Sequence, residues 1–252
     1  MKKTVLITGA TSGIGLACAR VFAQYNYRII ITGRRDDRLR TLKTELEHAH
    51  NSEVLALCFD VRNEREVSTH LNALPGHWQD IDVLINNAGL AAGRSNIDEG
   101  SLEDWEQMID TNVKGLLYVS RLVIPGMKER KSGHIINLGS IAGKEAYQGG
   151  NVYCATKFAV DALTKTMRID LLPYNIKVTG VCPGAVETEF SLVRFKGDQD
   201  KADSVYDGFE PLRPEDVAEA IWFAASRPAH VNLNDIVIMP TAQANTTHLF
   251  RT

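Results

Sequence analysis

The chain has 252 residues, 44% of them hydrophobic and 23% charged, with a formal net charge of -3. These values fit a soluble globular protein of one large domain or two small ones, and nothing in them points to the concentrated basic face that a nucleic-acid partner requires. The four cysteines, Cys18, Cys58, Cys154 and Cys182, are widely separated and match neither a metal-ligand spacing nor a disulfide framework, so no metal site is expected.

The opening MKKTVLITGA has too short an apolar run for a secretory leader, and no run reaches the roughly 18 apolar residues of a membrane span. A cytoplasmic protein without a membrane partner is the expectation. Residues 4–8 (TVLIT) form a short apolar run closed by glycines, the profile of a buried strand, and helical spacing follows over 16–27. A second strand is predicted at 28–32, a helix at 36–50 with Leu39, Leu42 and Leu46 on one face, and a third strand at 53–59. Next come a helix at 63–74 stopped by Pro75-Gly76, and a strand at 82–85. Ser101-Leu102-Glu103-Asp104 resembles a helix start, opening a helix to about Asn112, with apolar spacing resuming through Met127. Strands at 133–138, 176–181 and 235–239 alternate with helices at 152–172 and 214–226, the latter with proline in its first turn.

Short strands alternating with longer helices predict an α/β fold: a parallel sheet with helices on both faces, a Rossmann-type three-layer sandwich. No linker interrupts the alternation, so 1–252 is read as a single domain. Residues 189–210 break the pattern. A stretch that long beyond a strand's carboxyl end is placed to be a lid over a site, against the plainer reading of a surface excursion. The tail at 240–252 is short and fairly polar, and ends in His248-Leu249-Phe250, placed to cap a neighbouring subunit.

The first strand runs into Gly9-Ala10-Thr11-Ser12-Gly13-Ile14-Gly15 and then a helix. Glycines there permit a tight turn and close helix–strand packing, and the helix start faces a pyrophosphate. The spacing G-x-x-x-G-x-G departs from the common G-x-G-x-x-G, and glycines also serve such turns for backbone reasons alone. The second strand then ends Thr32-Gly33-Arg34-Arg35, where an NAD site usually places an acid. An arginine fork suits a 2′-phosphate, so NADP is favoured over NAD. Asp36 or Asp37 reaching back to the ribose, or two solvated arginines, are the competing readings. Asp60 closes the third strand, placed to accept from an adenine amino group. Asn86-Asn87-Ala88-Gly89 closes the fourth, with small residues for close backbone approach and amides to pin the turn.

Ser140 ends the fifth strand, and Tyr153 and Lys157 lie one helical turn apart on one face. Together they suit moving a proton to or from an alcohol oxygen while a nicotinamide supplies the hydride. The phenol's reference pKa of about 10 is high for that task, and an ammonium beside it lowers it. Asn112 can hold a water against the lysine. Tyrosine and lysine at this spacing, and serines at strand ends, are also frequent on ordinary amphipathic elements.

With TGATSGIG at 8–15, Asp60, NNAG at 86–89, Asn112, Ser140, YCATK at 153–157 and PGAVET at 183–188, the sequence resembles the short-chain dehydrogenase/reductase family over essentially its whole length. The resemblance implies a seven-stranded sheet and a catalytic set of Asn112, Ser140, Tyr153 and Lys157. It extends the cofactor set to Gly9, Thr11, Ser12, Gly13, Ile14, Gly15, Arg34, Arg35, Asp60, Val61, Asn87, Ala88, Gly89, Tyr153, Lys157, Pro183, Gly184, Val186 and Thr188, with Thr188 at the nicotinamide carboxamide. IDTNVKGL, YQGGNVYCATK, TEFSLVRFKGD and PAHVNLNDIVIMPTAQ are similar to the family's bacterial NADP-dependent 3-hydroxy acid dehydrogenases. That group implies short 3-hydroxy acids as substrates: L-serine, L-allo-threonine, 3-hydroxyisobutyrate, or 3-hydroxypropionate with its malonic semialdehyde. One departure is GAVETEF after Pro183, one residue shorter than the group's usual form. The expected substrate wall is Ser140, Gln148, Gly149 and Tyr153, with Asn151 nearby and Arg194 or Lys196 as the anchor for a carboxylate. A reductase of another carbonyl, sugar or steroid-like substrate is the alternative, and a non-catalytic NADP-binding sensor a further one. The family also implies a homotetramer.

Overall fold

The computed structural model describes residues 2–252, so position 1 of the expected domain lies outside the description. Seven parallel strands form the sheet: β1 (Thr4–Ile7), β2 (Arg28–Gly33), β3 (Val54–Cys58), β4 (Val83–Asn86), β5 (Gly133–Leu138), β6 (Ile176–Pro183) and β7 (Asp235–Ile238). They lie in the order β3-β2-β1-β4-β5-β6-β7. The direction of winding reverses between β1 and β4, which opens a crevice at the carboxyl ends of the strands.

The central strands are buried on both faces, so their apolar runs alternate between two cores rather than between core and water, while the edge strand β7 is partly exposed. Val5, Ile7, Ile29 and Ile31 face one core with α1 (Gly13–Gln24), α2 (Asp36–His50) and α9 (Pro214–Ala225). Leu6, Ile30, Leu84 and Val178 face the other, where α3 (Glu64–Asn72), α5 (Leu116–Arg130) and α6 (Asn151–Leu171) pack. This is the single-domain, three-layer fold expected from the alternation. On α6, Val160 and Met167 are buried and Leu163 is half-buried, while Phe158 stays 43% exposed. Ile169 and Leu172 join it at the surface.

Two segments depart from the expected elements. The helix expected from Ser101 divides into α4 (Leu102–Ile109), a wider π turn at Asp110–Gly115, and α5. Such turns inside helices mark functional positions, and Asn112 sits in this one. Residues 189–210 are not plain loop: they contain α7 (Glu189–Arg194) and α8 (Gln199–Ser204). Within one chain the tail folds onto this segment rather than away from it. The Thr252 amide donates to Gly208 O at 2.9 Å, and Arg251 Nη2 to Val205 O at 3.0 Å. Among the described residues no helix is long and apolar enough to cross a membrane.

A chain of buried polar side chains links β4 and β5 to the helices beneath them. Asn86 Nδ2 donates to Ser120 Oγ and to Asn137 Oδ1, both at 2.9 Å, and Asn137 Nδ2 donates to Thr164 Oγ1 at 3.0 Å. His134 on β5 contacts Thr179 Oγ1 at 2.8 Å through Nε2, while its Nδ1 is buried without a partner. Burial, reinforced by the Lys177 charge, pulls the His134 imidazole down to about 3 from an ordinary 6.5. Between those pH values the unfolded chain binds the proton and the folded chain does not. Stability is therefore present above pH 6.5 and falls on acidification toward 3, by up to about 1.4 kcal/mol per pH unit. In urea denaturation at pH 7, 6, 5 and 4, His134→Leu is expected to flatten this slope; an identical slope in the variant would refute the assignment.

Candidate active site

The carboxyl ends of the strands open on one cleft of about 330 Å³. Its floor is the turn after β1. Gly9 has φ +68°, and a Cβ there would lie 3.0 Å from Ala88 Cα; a Cβ on Gly15 would lie 2.3 Å from Gly9 O. Glycine is required at both positions by this contact between the turn, the start of α1 and the end of β4. Asn87 holds it together: its Nδ2 donates to Thr8 O at 2.9 Å and Gly9 O at 3.0 Å, and its amide N to Thr8 Oγ1 at 3.0 Å. Thr11, Ser12, Gly13, Ile14, Ala88 and Gly89 line the cleft as expected, whereas Gly15 is packed beneath it. Pro183, Gly184, Val186 and Thr188 form the opposite wall, with Thr188 methyl 3.2 Å from where a Gly13 Cβ would stand.

At the β2 end, Arg34, Arg35, Asp60 and Val61 line the cleft together. Arg35 donates to Thr11 Oγ1 through Nε (3.1 Å) and Nη2 (2.7 Å), and to Ser12 Oγ at 2.9 Å. Its Nη1 reaches Glu189 Oε2 at 2.8 Å, and Arg38 reaches Glu189 Oε1 at 2.6 Å. Asp36 pairs with Arg40 instead of turning into the cleft, and neither Asp36 nor Asp37 lines it. Asp60 is bound by Arg62 Nη2 at 2.7 Å and lies 3.9 Å from Arg34. Burial works against its charge, but the hydrogen bonds from Arg62 hold the Asp60 carboxyl below its ordinary range. A cluster of cations beside a glycine turn fits a dinucleotide bearing a 2′-phosphate. Arg38, Arg62 and Glu189 were missed from the sequence. Arg38 lies three positions after Arg35 at the start of α2 and was within reach of a spacing argument; Glu189 is distant in sequence and gave no signal.

Ser140, Tyr153 and Lys157 meet on the facing wall. Burial raises the Tyr153 phenol, and a hydrogen bond with Ser140 and the Arg194 charge oppose it. Burial pulls Lys157 down to about 8. The Lys157 ammonium donates to Leu138 O at 2.9 Å and lies 6.0 Å from the Tyr153 ring centre. In this arrangement Arg194 is a second cation beside the phenol. Asn112 is tied to its neighbours on both sides. Its Oδ1 accepts from Leu90 N at 2.8 Å, and its Nδ2 donates to Leu90 O at 2.8 Å and Thr156 Oγ1 at 3.0 Å. With both amide hydrogens committed, the side chain braces α6 against the segment beyond Gly89.

Arg194 ends α7 with its guanidinium carbon 5.4 Å from the Tyr147 ring centre and 5.7 Å from that of Tyr153. Its Nε and Nη2 are buried without hydrogen-bond partners among the described residues. Lys196 is otherwise engaged, 3.0 Å from Asp104. Phe190 packs on Tyr153 with ring centres 5.6 Å apart. Gln148 is exposed, and Gly149, with φ +74°, lies against Arg94, so neither lines the main cleft; Gly149, Gly150 and Asn151 line a small adjoining one.

A family model described as short chain dehydrogenase matches residues 3–198. The chain belongs to the short-chain dehydrogenase family. Relatives match it nearly end to end. The NADP-dependent 3-hydroxy acid dehydrogenase of Escherichia coli (strain K12) is 50% identical over 241 residues, 95% of this chain and 96% of that protein. Sulfoacetaldehyde reductase 2 of Chromohalobacter salexigens is 46% identical over 245 residues, 97% and 96% of the two chains. The closed form of a serine dehydrogenase complexed with NADP+ superposes with a TM-score of 0.92 at 48% identity, covering 99% of each chain. This short-chain dehydrogenase is an NADP-dependent oxidoreductase.

The buried lysine of this short-chain dehydrogenase has a measurable consequence. Below about pH 8 both folded and unfolded chains carry its proton, and the folded chain bears the full cost of a desolvated ammonium. Between about 8 and 10.5 only the unfolded chain holds that proton, so this cost fades as pH rises. Lys157→Met is therefore expected to raise unfolding stability at pH 7 by about 1–3 kcal/mol, with a smaller gain at pH 10. Urea denaturation at the two pH values decides it, and a loss of stability at pH 7 would count against the charge account.

Proposed function

We propose that this enzyme oxidises the hydroxyl of a short 3-hydroxy acid, and reduces the corresponding aldehyde or ketone acid, with Tyr153 as the proton-transferring group. The observation that carries this reading is Arg194: a guanidinium with two buried unpartnered nitrogens, directly beside the candidate catalytic tyrosine. Leaving a buried donor unpaired is costly, and a substrate carboxylate would satisfy two donors at once. A neutral carbonyl or steroid would leave them unpaired. Relatives named for 3-hydroxy acids and for serine support the same chemistry, with L-serine, L-allo-threonine, 3-hydroxyisobutyrate and 3-hydroxypropionate as the candidates. The relative named for sulfoacetaldehyde favours a second reading, a short sulfonate, because the same cation would anchor it.

The bound nicotinamide supplies or accepts the hydride. Thr11, Ser12, Arg34, Arg35 and Asp60 would hold the adenosine end, and Asn87 to Gly89, Lys157 and Thr188 the remainder. In reduction, the Tyr153 hydroxyl gives its proton to the carbonyl oxygen; in oxidation, the ionised phenol takes the proton of the alcohol. Ser140 accepts from Ala142 N at 3.1 Å, and its hydroxyl hydrogen, now directed to the Tyr153 oxygen, would be shared with the substrate oxygen as charge develops there. Lys157 favours the ionised phenol when turned toward it, and Asn112 positions α6 through Thr156. Segment 189–210 acts as the lid, since α7 brings both Phe190 and Arg194 over the tyrosine. A cytoplasmic homotetramer is our reading of setting and assembly. The four unpaired cysteines and the apolar residues exposed on α6 and at Leu172 support it.

Two substitutions test the reading. Tyr153→Phe is expected to lower turnover by at least ~10²-fold while NADP binding is retained, as removal of a proton-transfer group should; unchanged turnover would sink the mechanism. Arg194→Ala is expected to raise KM for L-serine and 3-hydroxypropionate by at least ~10-fold and to leave KM for a neutral short-chain alcohol unchanged, while loss of its charge beside the phenol alters turnover of both. A steady-state panel of acids, sulfonate and neutral alcohol with both cofactors reads the outcome, and equal rises in KM on charged and neutral substrates would reject the anchor.

A further inference from the structure

Residue Glu189 stands where the cofactor reading would put an anion. Its two carboxylate oxygens are divided between two arginines, Oε2 on Arg35 and Oε1 on Arg38. Arg35 is at the same time fixed by Thr11 and Ser12 in the turn after β1. The guanidinium groups are thus already oriented by an internal anion, on the side of the cleft formed by the β2 end. Burial works against the charge on Glu189, but hydrogen bonds from Arg35 and Arg38 hold its carboxyl below the ordinary range. Arginine forks accept carboxylate and phosphate in the same geometry.

We propose that Glu189 is an internal competitor for the 2′-phosphate of the cofactor: its carboxylate occupies Arg35 and Arg38, must yield them when the phosphate binds, and so tunes both the affinity for NADP and the discrimination against NAD. This rests on the reading that these arginines receive the 2′-phosphate. A phosphate monoester carries about 1.5–2 negative charges and three acceptor oxygens, against one charge and two oxygens for the carboxylate. It therefore wins the exchange. The side chains of Arg35, Arg38 and Glu189 are 38%, 43% and 40% exposed, so water and salt weaken the contact being broken and the exchange costs little. NAD presents only a hydroxyl at that position. It cannot draw two arginines from a carboxylate, so Glu189 stays in place and NAD gains nothing from the cations.

The test measures binding rather than turnover, by calorimetric titration of the full chain with NADP+, NAD+ and 2′,5′-ADP. Glu189→Gln keeps the size of the side chain and removes its charge. It is expected to tighten NADP+ and 2′,5′-ADP by about three- to tenfold, with NAD+ changed less than about twofold, and the gain should shrink at high salt. Glu189→Asp, which retains the charge on a shorter arm, is expected to fall between wild type and Gln. Arg35→Ala and Arg38→Ala should weaken NADP+ and spare NAD+. Unchanged or weakened NADP+ binding in Glu189→Gln, alongside weakened binding in the arginine variants, overturns the competition and leaves the arginine site standing. Unchanged NADP+ binding in both arginine variants rejects the site itself, and the inference with it.

Discussion

The cleft exists because three backbones meet within van der Waals contact at Gly9. The left-handed turn after β1, the start of α1 and the end of β4 are brought together there, and the Asn87 amide closes the junction on Thr8 O and Gly9 O. No side chain larger than hydrogen fits at Gly9 or Gly15 without moving backbone. Removing the Asn87 donors would leave two carbonyl groups short of partners, at a cost of about 1–3 kcal/mol for each that stays buried. The junction also sets the height of Thr11 and Ser12, which in turn fix Arg35. The electrostatic end of the cleft is thus built on a steric constraint at the other side of the turn.

Burial then does two opposed things to the chemistry. It drives the Tyr153 phenol up and the Lys157 ammonium down, so both groups lean toward their neutral forms. A phenol held neutral is a good proton donor and a poor acceptor; a reversible enzyme needs both. The surrounding polar groups supply the opposing pull through the Ser140 hydrogen bond and the positive charge of Arg194. Environment rather than residue identity decides the direction in which each group is biased. This gives Arg194 a double place in the site: its charge acts on the phenol, and two of its nitrogens are buried beside the tyrosine ring without partners among the described residues.

How much of this was legible in the sequence depends on the range of the interaction. The sheet was readable because a strand buried on both faces leaves an apolar run, and β5 and α2 fell at their expected bounds. Tyr153, Lys157 and Ser140 were readable because i,i+4 spacing and a strand end fix their direction. The π turn around Asn112 was not, since apolar spacing continues through it and one extra residue per turn leaves no compositional mark. Helices α7 and α8 were hidden for a related reason: at six residues each they are too short for a periodic signal and depend on tertiary contacts. Glu189 on Arg35 and Arg38, and Lys196 on Asp104 rather than in the cleft, join residues far apart in the chain. No local pattern encodes such pairings.

The shortness of α7 is itself informative. Six residues at 1.5 Å per residue make a rod of about 9 Å, and this rod spans from the cofactor arginines to the candidate catalytic tyrosine. Glu189 at its start bonds Arg35 and Arg38; Phe190 packs on Tyr153; Arg194 at its end lies over the Tyr147 and Tyr153 rings and gives its carbonyl to Gly93 N at 2.9 Å. The Thr188 hydroxyl caps the rod by accepting from Phe190 N, and Tyr206 ties it back to Val186 and Ser191. The contacts of so short a helix are therefore held at both ends: Thr188 and Tyr206 fix its backbone, and the Glu189 side chain can turn away from its arginines about its own bonds without moving Arg194. One six-residue element thus carries both a carboxylate set against the β2 arginines and a guanidinium set against the tyrosine.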